Sequence, residues 1–508
     1  MSGRDTASIR RYHDATKHSF ASIRQNPHTL DWDNMPLPFK VYTALEPIAL
    51  PRDFATSTRP VLAALADPGA AAGAGPPLDR ATLAHLLYFT AGVLRRKPYP
   101  GGEIYFRAAA CTGALYHIDL YLVCGPLPDL EAGVYHFGPH DFALRRLRAG
   151  DHRAALVEAT ANEPAVSAAP AILVCTSTFW RNAWKYQARA YRHCFWDGGT
   201  LLANLLAVAA ARDLPARVVL GFVDDAVNRV LDLDDEREVA LSLVALGRGQ
   251  PPSSPPPAIG PLAMDTLRLS KREIDYPVIR EAHLASSLGS PEEVAAWRAR
   301  MPPRPPAAAA TDGLVSLPRL PASAVGEAAE TVILRRGSTR HFAREPIGLD
   351  HLGTILHTVT RGIPADCLAA DDPLTDPYLI VNAVEGLAQG AYVLGGEREG
   401  LTLLQAGDFR RDAGYLDLGQ ALAADAAVNV YWLTDLDHVL AHLGPRGYRA
   451  AQLEAAIQGG KAYLAAYALG LGATGLTFFD DAVTTFFSPH AAGKAVMFLV
   501  AVGTPARR

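Results

Sequence analysis

DLYLV, residues Asp119–Val123, returns as DPYLI at Asp376–Ile380, and the interval of 257 residues decides how the chain is read. GVYHF (133–137) returns at the same interval as GAYVL (390–394), AGDHR (149–153) as AGDFR (406–410), and RAYR (189–192) as RGYR (446–449). VDDAV (223–227) matches FDDAV (479–483) after a one-residue gap. A single match is within reach of chance; four at one offset describe two copies of one domain. Apolar runs such as DLYLVC, AAPAILVCTS, AVNVYWLT and KAVMFLVAVG read as buried strands. GGTLLANLLAVAAARDL and GGKAYLAAYALGLG read as helices apolar nearly all round, hence central. The expected class is α+β, with mixed sheets flanked by helices around a buried helix in each copy.

Working outward, the reading divides the chain into an N-terminal extension (1–50), a first copy (51–249), a Pro-rich linker with short helices (250–325) and a second copy (326–508). GQPPSSPPPAIGP and MPPRPPAAAA mark the linker, because proline removes backbone donors and stiffens the chain. In SPEEVAAWRARM, Ser290 is an N-cap candidate with Pro291 at the first helical position. The 508 residues carry 48 Lys plus Arg against 52 Asp plus Glu, so no basic field invites nucleic acid. Five scattered cysteines without a C-x-x-C pair argue against a disulfide framework or a metal site. The polar N-terminus has no apolar signal core, and no run of about 18 apolar residues stands out. A cytoplasmic protein that does not span a membrane is expected.

Four motifs carry candidate chemistry. GLGATG (470–475) fits a dinucleotide glycine pattern, but a helix precedes it and a strand follows, the reverse of the required order, so it reads as a helix C-cap and turn. LRRGSTRHF (334–342) sets Arg335, Arg336 and Arg340 around Ser338 and Thr339; arginine forks and hydroxyls suit phosphate oxygens, and a solvated basic turn is the alternative. FRAAACTGALYHIDLYLV (106–123) is a small-residue loop entering a strand, open enough for backbone to approach a flat ligand, or else a tight core turn. At the 257 offset its Arg107 becomes Pro364 and its Gly113 becomes Ala370. AWKYQARAYRH (183–193) mixes cations with tyrosines in what reads as helix. Arg189, Tyr191 and Arg192 persist in the second copy and read as structural, whereas Lys185 and Tyr186 become His442 and Leu443 and are the functional candidates.

RRGSTRHF, RAAACTGALYHIDLYLV running on to AGVYHF, and WKYQARAYRH together resemble the SagB-type dehydrogenases, FMN-dependent azoline oxidases of the nitroreductase superfamily. The resemblance implies two nitroreductase-like domains forming an internal pseudo-dimer. It implies an FMN phosphate held by Arg335, Arg336, Ser338 and Arg340, with Lys494 a weaker candidate by position, for which a surface lysine is the alternative. It places Arg107, Thr112 and Gly113 at the isoalloxazine and makes Lys185 and Tyr186 a base or proton relay. Family members usually carry these motifs on one domain and dimerise; here they are divided between copies. The implied activity is oxidation of a thiazoline or oxazoline in a modified peptide. The alternatives are an NAD(P)H-dependent nitro or quinone reductase, and a non-catalytic flavin-binding or partner subunit of a peptide-modifying complex. A small-molecule or peptide substrate, a monomer or homodimer, and one FMN per chain are expected.

Overall fold

The computed structural model describes residues 6–68, 75–99, 102–252, 255–262, 264–300, 314–321, 325–368, 373–395 and 398–506. Of the features singled out above, MPPRPPAAAA and Ala370–Asp372 of the second-copy loop lie outside the described residues.

Two seven-stranded sheets carry the repeat. The first runs, in spatial order, Ile48–Ala49, Ala143–Ala149, Gly133–Gly138, Ile118–Cys124, Ala171–Thr178, Glu238–Leu246 and Ala216–Val219. The second repeats that order: Val315–Ser316, Gly400–Ala406, Gly390–Gly395, Asp376–Val381, Val428–Thr434, Ala495–Gly503 and Gly472–Gly475. DLYLV and DPYLI occupy the same central place in their sheets, paired on one side with Ala171–Thr178 or Val428–Thr434. The named strands pair antiparallel throughout, and parallel register is confined to isolated bridges such as Val218 with Ala365, so the sheets are mixed only in that narrow sense.

The two central helices, Ala190–Ala211 and Arg446–Ala468, pack against each other between the sheets. Glycine pairs let the backbones meet. A Cβ on Gly199 would fall 2.5 Å from the Cβ of Ala456, and one on Gly460 2.6 Å from the Cβ of Ala203. That close approach explains why both helices are buried nearly all round, their charged and polar residues included. Each covers its own sheet with one side and its twin with the other. By length and composition the stretch Phe179–Ala211 holds an 18-residue window apolar enough to cross a membrane, which the sequence reading does not mark, and that window is wholly buried inside the protein.

The motifs shared by the copies fasten them together. Arg189 and Arg192 of the first copy close on Asp480 of the second, at 3.0 and 2.6 Å. Arg446 and Arg449 of the second close on Asp224 of the first, at 2.6 and 2.7 Å. All six side chains are buried. Each carboxylate takes a further backbone N–H, from His18 (2.8 Å) and Leu288 (2.9 Å) respectively. Helix Thr6–Ala15 covers the first clamp, offering the carbonyl of His13 to Arg192; helix Pro277–Ala285 covers the second, offering that of His283 to Arg449. The retained arginines are therefore structural, as the comparison of copies indicated, and their partners are the retained DDAV aspartates of the opposite copy.

Candidate functional site

The first-copy loop is held from beneath by one carboxylate. Asp197, on the first central helix, accepts the backbone N–H of Thr112 (2.9 Å), the Thr112 hydroxyl (2.6 Å), the Cys111 thiol (3.0 Å) and His117 Nε2 (2.8 Å). Burial and the neighbouring Asp197 charge push the Cys111 thiol well above its ordinary value, so it stays protonated and donating. The loop then turns through Gly113 at φ +60°, an exposed residue in the left-handed region. Near it a small pocket is lined by first-copy residues, among them Thr90, Arg107, Ala109, Cys111, Tyr116 and Asp197.

Lys185 and Tyr186 stand over that turn. A Cβ built on Gly113 would lie 2.9 Å from Tyr186 Oη and 3.4 Å from Lys185 Nζ, so glycine is what lets the pair approach the loop. The Tyr186 ring meets His193 edge-on at 4.4 Å. His193 Nδ1 is assigned as donor to Asn182 Oδ1 (2.9 Å), because the Asn182 amide nitrogen donates to Thr112 Oγ1 (2.9 Å). Thr112 thus spends its N–H and its hydroxyl inside the protein. Of the predicted loop residues, Arg107 lines the pocket and Gly113 lies exposed beside Lys185 and Tyr186. Burial, then the charges of Asp197 and Cys111, holds the Tyr186 phenol above its ordinary value and therefore protonated.

The segment does not continue as one helix. Helix Phe179–Tyr186 ends at the pair, and Gln187 breaks it at φ 50°, ψ −138° before the central helix begins. Its counterpart at the 257 offset is Gly444, at φ 61°, ψ −164°. A glutamine in a glycine conformation costs on the order of 1–3 kcal/mol. Its amide is met by Asn26 (3.2 Å) and His28 (3.5 Å) of the N-terminal extension, and His28 also reaches the carbonyl of Trp184 (2.8 Å). Gln187→Gly is expected to raise the thermal unfolding midpoint, since relief of torsional strain outweighs the roughly 0.5–1 kcal/mol entropic cost of a glycine; a fall in a calorimetric scan would contradict this.

The arginine arm divides. Arg335 is tied to Glu327 (2.5 Å) and to the carbonyl of Tyr467 (2.6 Å), so it caps the second central helix. Arg336 crosses to the other copy and donates to the carbonyl of Ala108 (3.0 Å), at the root of the small-residue loop. Ser338 lies 3.4 Å from the hydroxyl of Tyr463, which also accepts the N–H of Gly475, and Arg340 is exposed. Lys494 is not part of this group. It pairs with Asp376 at 2.5 Å, and the strand residue opposite Gly475 is Val500, so it sits roughly 20 Å away along the strand. Asp197, Asn182 and Tyr463 belong to the site although no motif singles them out, while His193 closes AWKYQARAYRH and Gly475 closes GLGATG, which reads only as a helix C-cap and turn. Two tyrosines in an otherwise apolar helix, KAYLAAYALG, are a usable signal for Tyr463.

The pseudo-symmetric place on the other side is built differently. Arg59 donates to the carbonyl of Ala210 (3.0 Å), which lies 257 residues before Tyr467, so it matches the capping Arg335 and not Arg336. Glu454 stands at the Asp197 position and is pushed up to about 7 by burial. Lys461 stands at the Asn204 position and is pulled down to about 7 by burial. The loop there is stitched to the edge of the first sheet. Val218 N–H donates to Pro364 (2.8 Å), and the Asp366 carboxylate accepts the N–H groups of Leu220 (2.7 Å) and Gly221 (2.9 Å).

A family model described as the nitroreductase family matches residues 77–248 and again 333–504. A protein of Anabaena variabilis assigned to the nitroreductases has a crystal structure that superimposes on 98% of this chain and 99% of its own, with a TM-score of 0.75 and 27% identity. A Methanocaldococcus jannaschii protein named as a nitroreductase is 23% identical over 34% of this chain and 82% of its own. The microcin B17-processing protein McbC of Escherichia coli is 28% identical over 29% of this chain and 53% of its own.

Proposed function

Because this chain belongs to the nitroreductase family, with the family's domain present twice, we propose that it is an FMN-dependent oxidoreductase that oxidises an azoline ring in a modified peptide to the azole. The observation that carries the reading is the Lys185–Tyr186 pair standing over the exposed Gly113 turn, in one copy only. Similarity to a peptide-processing relative supports the substrate class.

The residues present suit a flavin mononucleotide. Arg336, Ser338 and Arg340 offer an anion three donor side chains from the second copy. Arg107 Nε and Thr477 Oγ1 are buried polar atoms without a hydrogen-bond partner among the described residues. Gly113 and Gly475 leave backbone exposed at either copy's edge of the site. FMN, when bound, supplies the acceptor for the hydride leaving the ring carbon. The chain's own part is the proton. Tyr186, held protonated, orients the ring by donating a hydrogen bond, and Lys185 Nζ beside it takes the proton from the neighbouring carbon. Asp197 keeps the loop beneath them fixed.

A purified, FMN-reconstituted protein should convert a thiazoline peptide to the thiazole with loss of one hydrogen pair per ring by mass spectrometry. Rapid bleaching of the flavin by NAD(P)H with no action on azolines would instead make it a nitro or quinone reductase. Failure to take up FMN would make it a non-catalytic partner. One FMN per polypeptide is expected on acid release, because the Arg336 arm has no counterpart in the first copy and Pro364 and Asp366 of the opposite loop are bonded to the edge of the first sheet. Arg336→Glu with Arg340→Glu should release all of it; two equivalents per chain in the unaltered protein would refute the single composite site.

A further inference from the structure

Between its Ala91 helix end and Arg107 the first copy inserts residues 92–106, where the second copy, from Val359 to Pro364, has only 360–363. The insertion is a two-stranded antiparallel hairpin, Val93–Tyr99 with Gly102–Arg107, and its last residue is the Arg107 that walls the pocket. Only the copy with the candidate loop carries it.

The register sorts its side chains. Arg96 lies opposite Tyr105 and Pro98 opposite Glu103, on the face whose contacts with the protein are Arg96 to the carbonyl of His140 (2.9 Å) and Tyr105 edge-on to Phe39 at 4.8 Å, with Arg96, Pro98 and Glu103 still exposed. Arg95 lies opposite Phe106 and Lys97 opposite Ile104, with Tyr99 next, so these five share the outward face. Tyr99 is 50% and Ile104 43% exposed, and Arg95 and Lys97 are exposed beside them. The hairpin's one described carboxylate, Glu103, is on the opposite face. Two aromatics, an isoleucine and two cations with no counter-charge among the described residues form a surface that selects for an occupant both apolar and anionic. A two-stranded ribbon with unpaired edges is also marginal alone and gains from a third strand.

We propose that this outward face docks an extended, acidic and apolar segment of the peptide substrate and leads it along the hairpin to Arg107 and the pocket. The proposal rests on the peptide-oxidising reading of the site. Strand addition would supply main-chain hydrogen bonds, while alternate side chains of the peptide would meet Arg95, Lys97, Tyr99 and Ile104.

The test uses the full chain and a short fluorescein-labelled peptide alternating Glu with Val, with its Lys–Val counterpart as control. Fluorescence anisotropy should show binding of the Glu–Val peptide alone, weakening as salt rises. Arg95→Glu with Lys97→Glu should lower affinity by about tenfold or more. Tyr99→Ser with Ile104→Ser should weaken binding while leaving its salt dependence in place. FMN content and reduction of a small soluble dye should be unchanged in all of these variants. Equal binding of both peptides, no binding by the flavin-loaded protein, or an unaffected charge-reversal variant overturns the docking surface. So does self-association in sedimentation that the charge-reversal variant abolishes, which would make a second copy of the chain the occupant. A chain that binds the Glu–Val peptide as described yet takes up no FMN leaves the surface standing and removes the enzymatic reading instead.

Discussion

Asp480→Asn is expected to destabilise the protein by about 3–5 kcal/mol, because it removes the one counter-charge shared by two buried arginines. Arg192 is fully buried and Arg189 nearly so, and neither can turn to water without opening the interface between copies. Asp224→Asn should cost as much through Arg446 and Arg449. Asp481→Asn, next in sequence but exposed, should change stability by less than about 0.5 kcal/mol and serves as the control. Urea unfolding followed by circular dichroism would decide it; equal midpoints for the 480 and 481 variants would refute the clamp. The pH dependence follows in sign. The paired arginines hold both carboxyls far below the ordinary carboxylate range, against the opposing effect of burial. Their contribution is therefore complete above the unfolded value of about 4 and is lost as pH falls below it toward the folded value. Neutral to mildly acidic solutions should leave the two copies joined.

Tyr186→Phe is expected to lower azoline turnover by about 10² to 10⁴ while the protein retains its FMN. The phenol sits within reach of the exposed Gly113 turn, and the substitution deletes one oxygen from a side chain whose ring packing on His193 is kept. Since burial keeps this group protonated, its removal should lower the plateau of the pH–rate profile without erasing the basic limb. A merely structural tyrosine would change the unfolding midpoint and leave the rate per bound flavin alone. Lys185→Met should lower the same rate and remove the rise of rate with pH that a proton-accepting amine imposes. Unchanged turnover in both variants would withdraw the pair from the chemistry.

Most of the architecture is legible in the sequence because repetition is a property of the string itself. The offset of 257 is enough to align the strands, central helices and arginines of one copy with those of the other. The clamp pairing is not legible, although both halves of it are visible as repeats. A constant offset relates Arg189 to Arg446 but cannot tell whether either reaches its own copy's aspartate or the other's. The break at Gln187 is hidden for a local reason: glutamine favours helix and carries no stop signal. Its repeat partner lies in Gly444–Pro445, which does carry one, so the two copies read together expose the kink. In the arm, composition cannot separate Arg335 from Arg336. Only the geometry of helix Ala329–Arg335 turns one toward Glu327 and the other across the interface. The Lys494 assignment rests on position in a family, and its strand places it at the wrong end.

The glycine crossing of the two central helices has a consequence for how such a chain can change. In a dimer of identical subunits, each mutation lands twice, once beside each ligand place, and must be tolerated at both. Joined in one polypeptide, the halves face selection separately. Gln187 stands where its twin has Gly444, Asp197 where it has Glu454, and Asn204 where it has Lys461. A lysine at residue 204 would place a cation where Asn204 now holds the carbonyl of Ala108, whereas Lys461 donates within its own copy, to the carbonyl of Arg361. Covalent union thus lets the halves diverge, the first shaping the loop and its Lys185–Tyr186 pair, the second the arginine arm that crosses to the root of that loop.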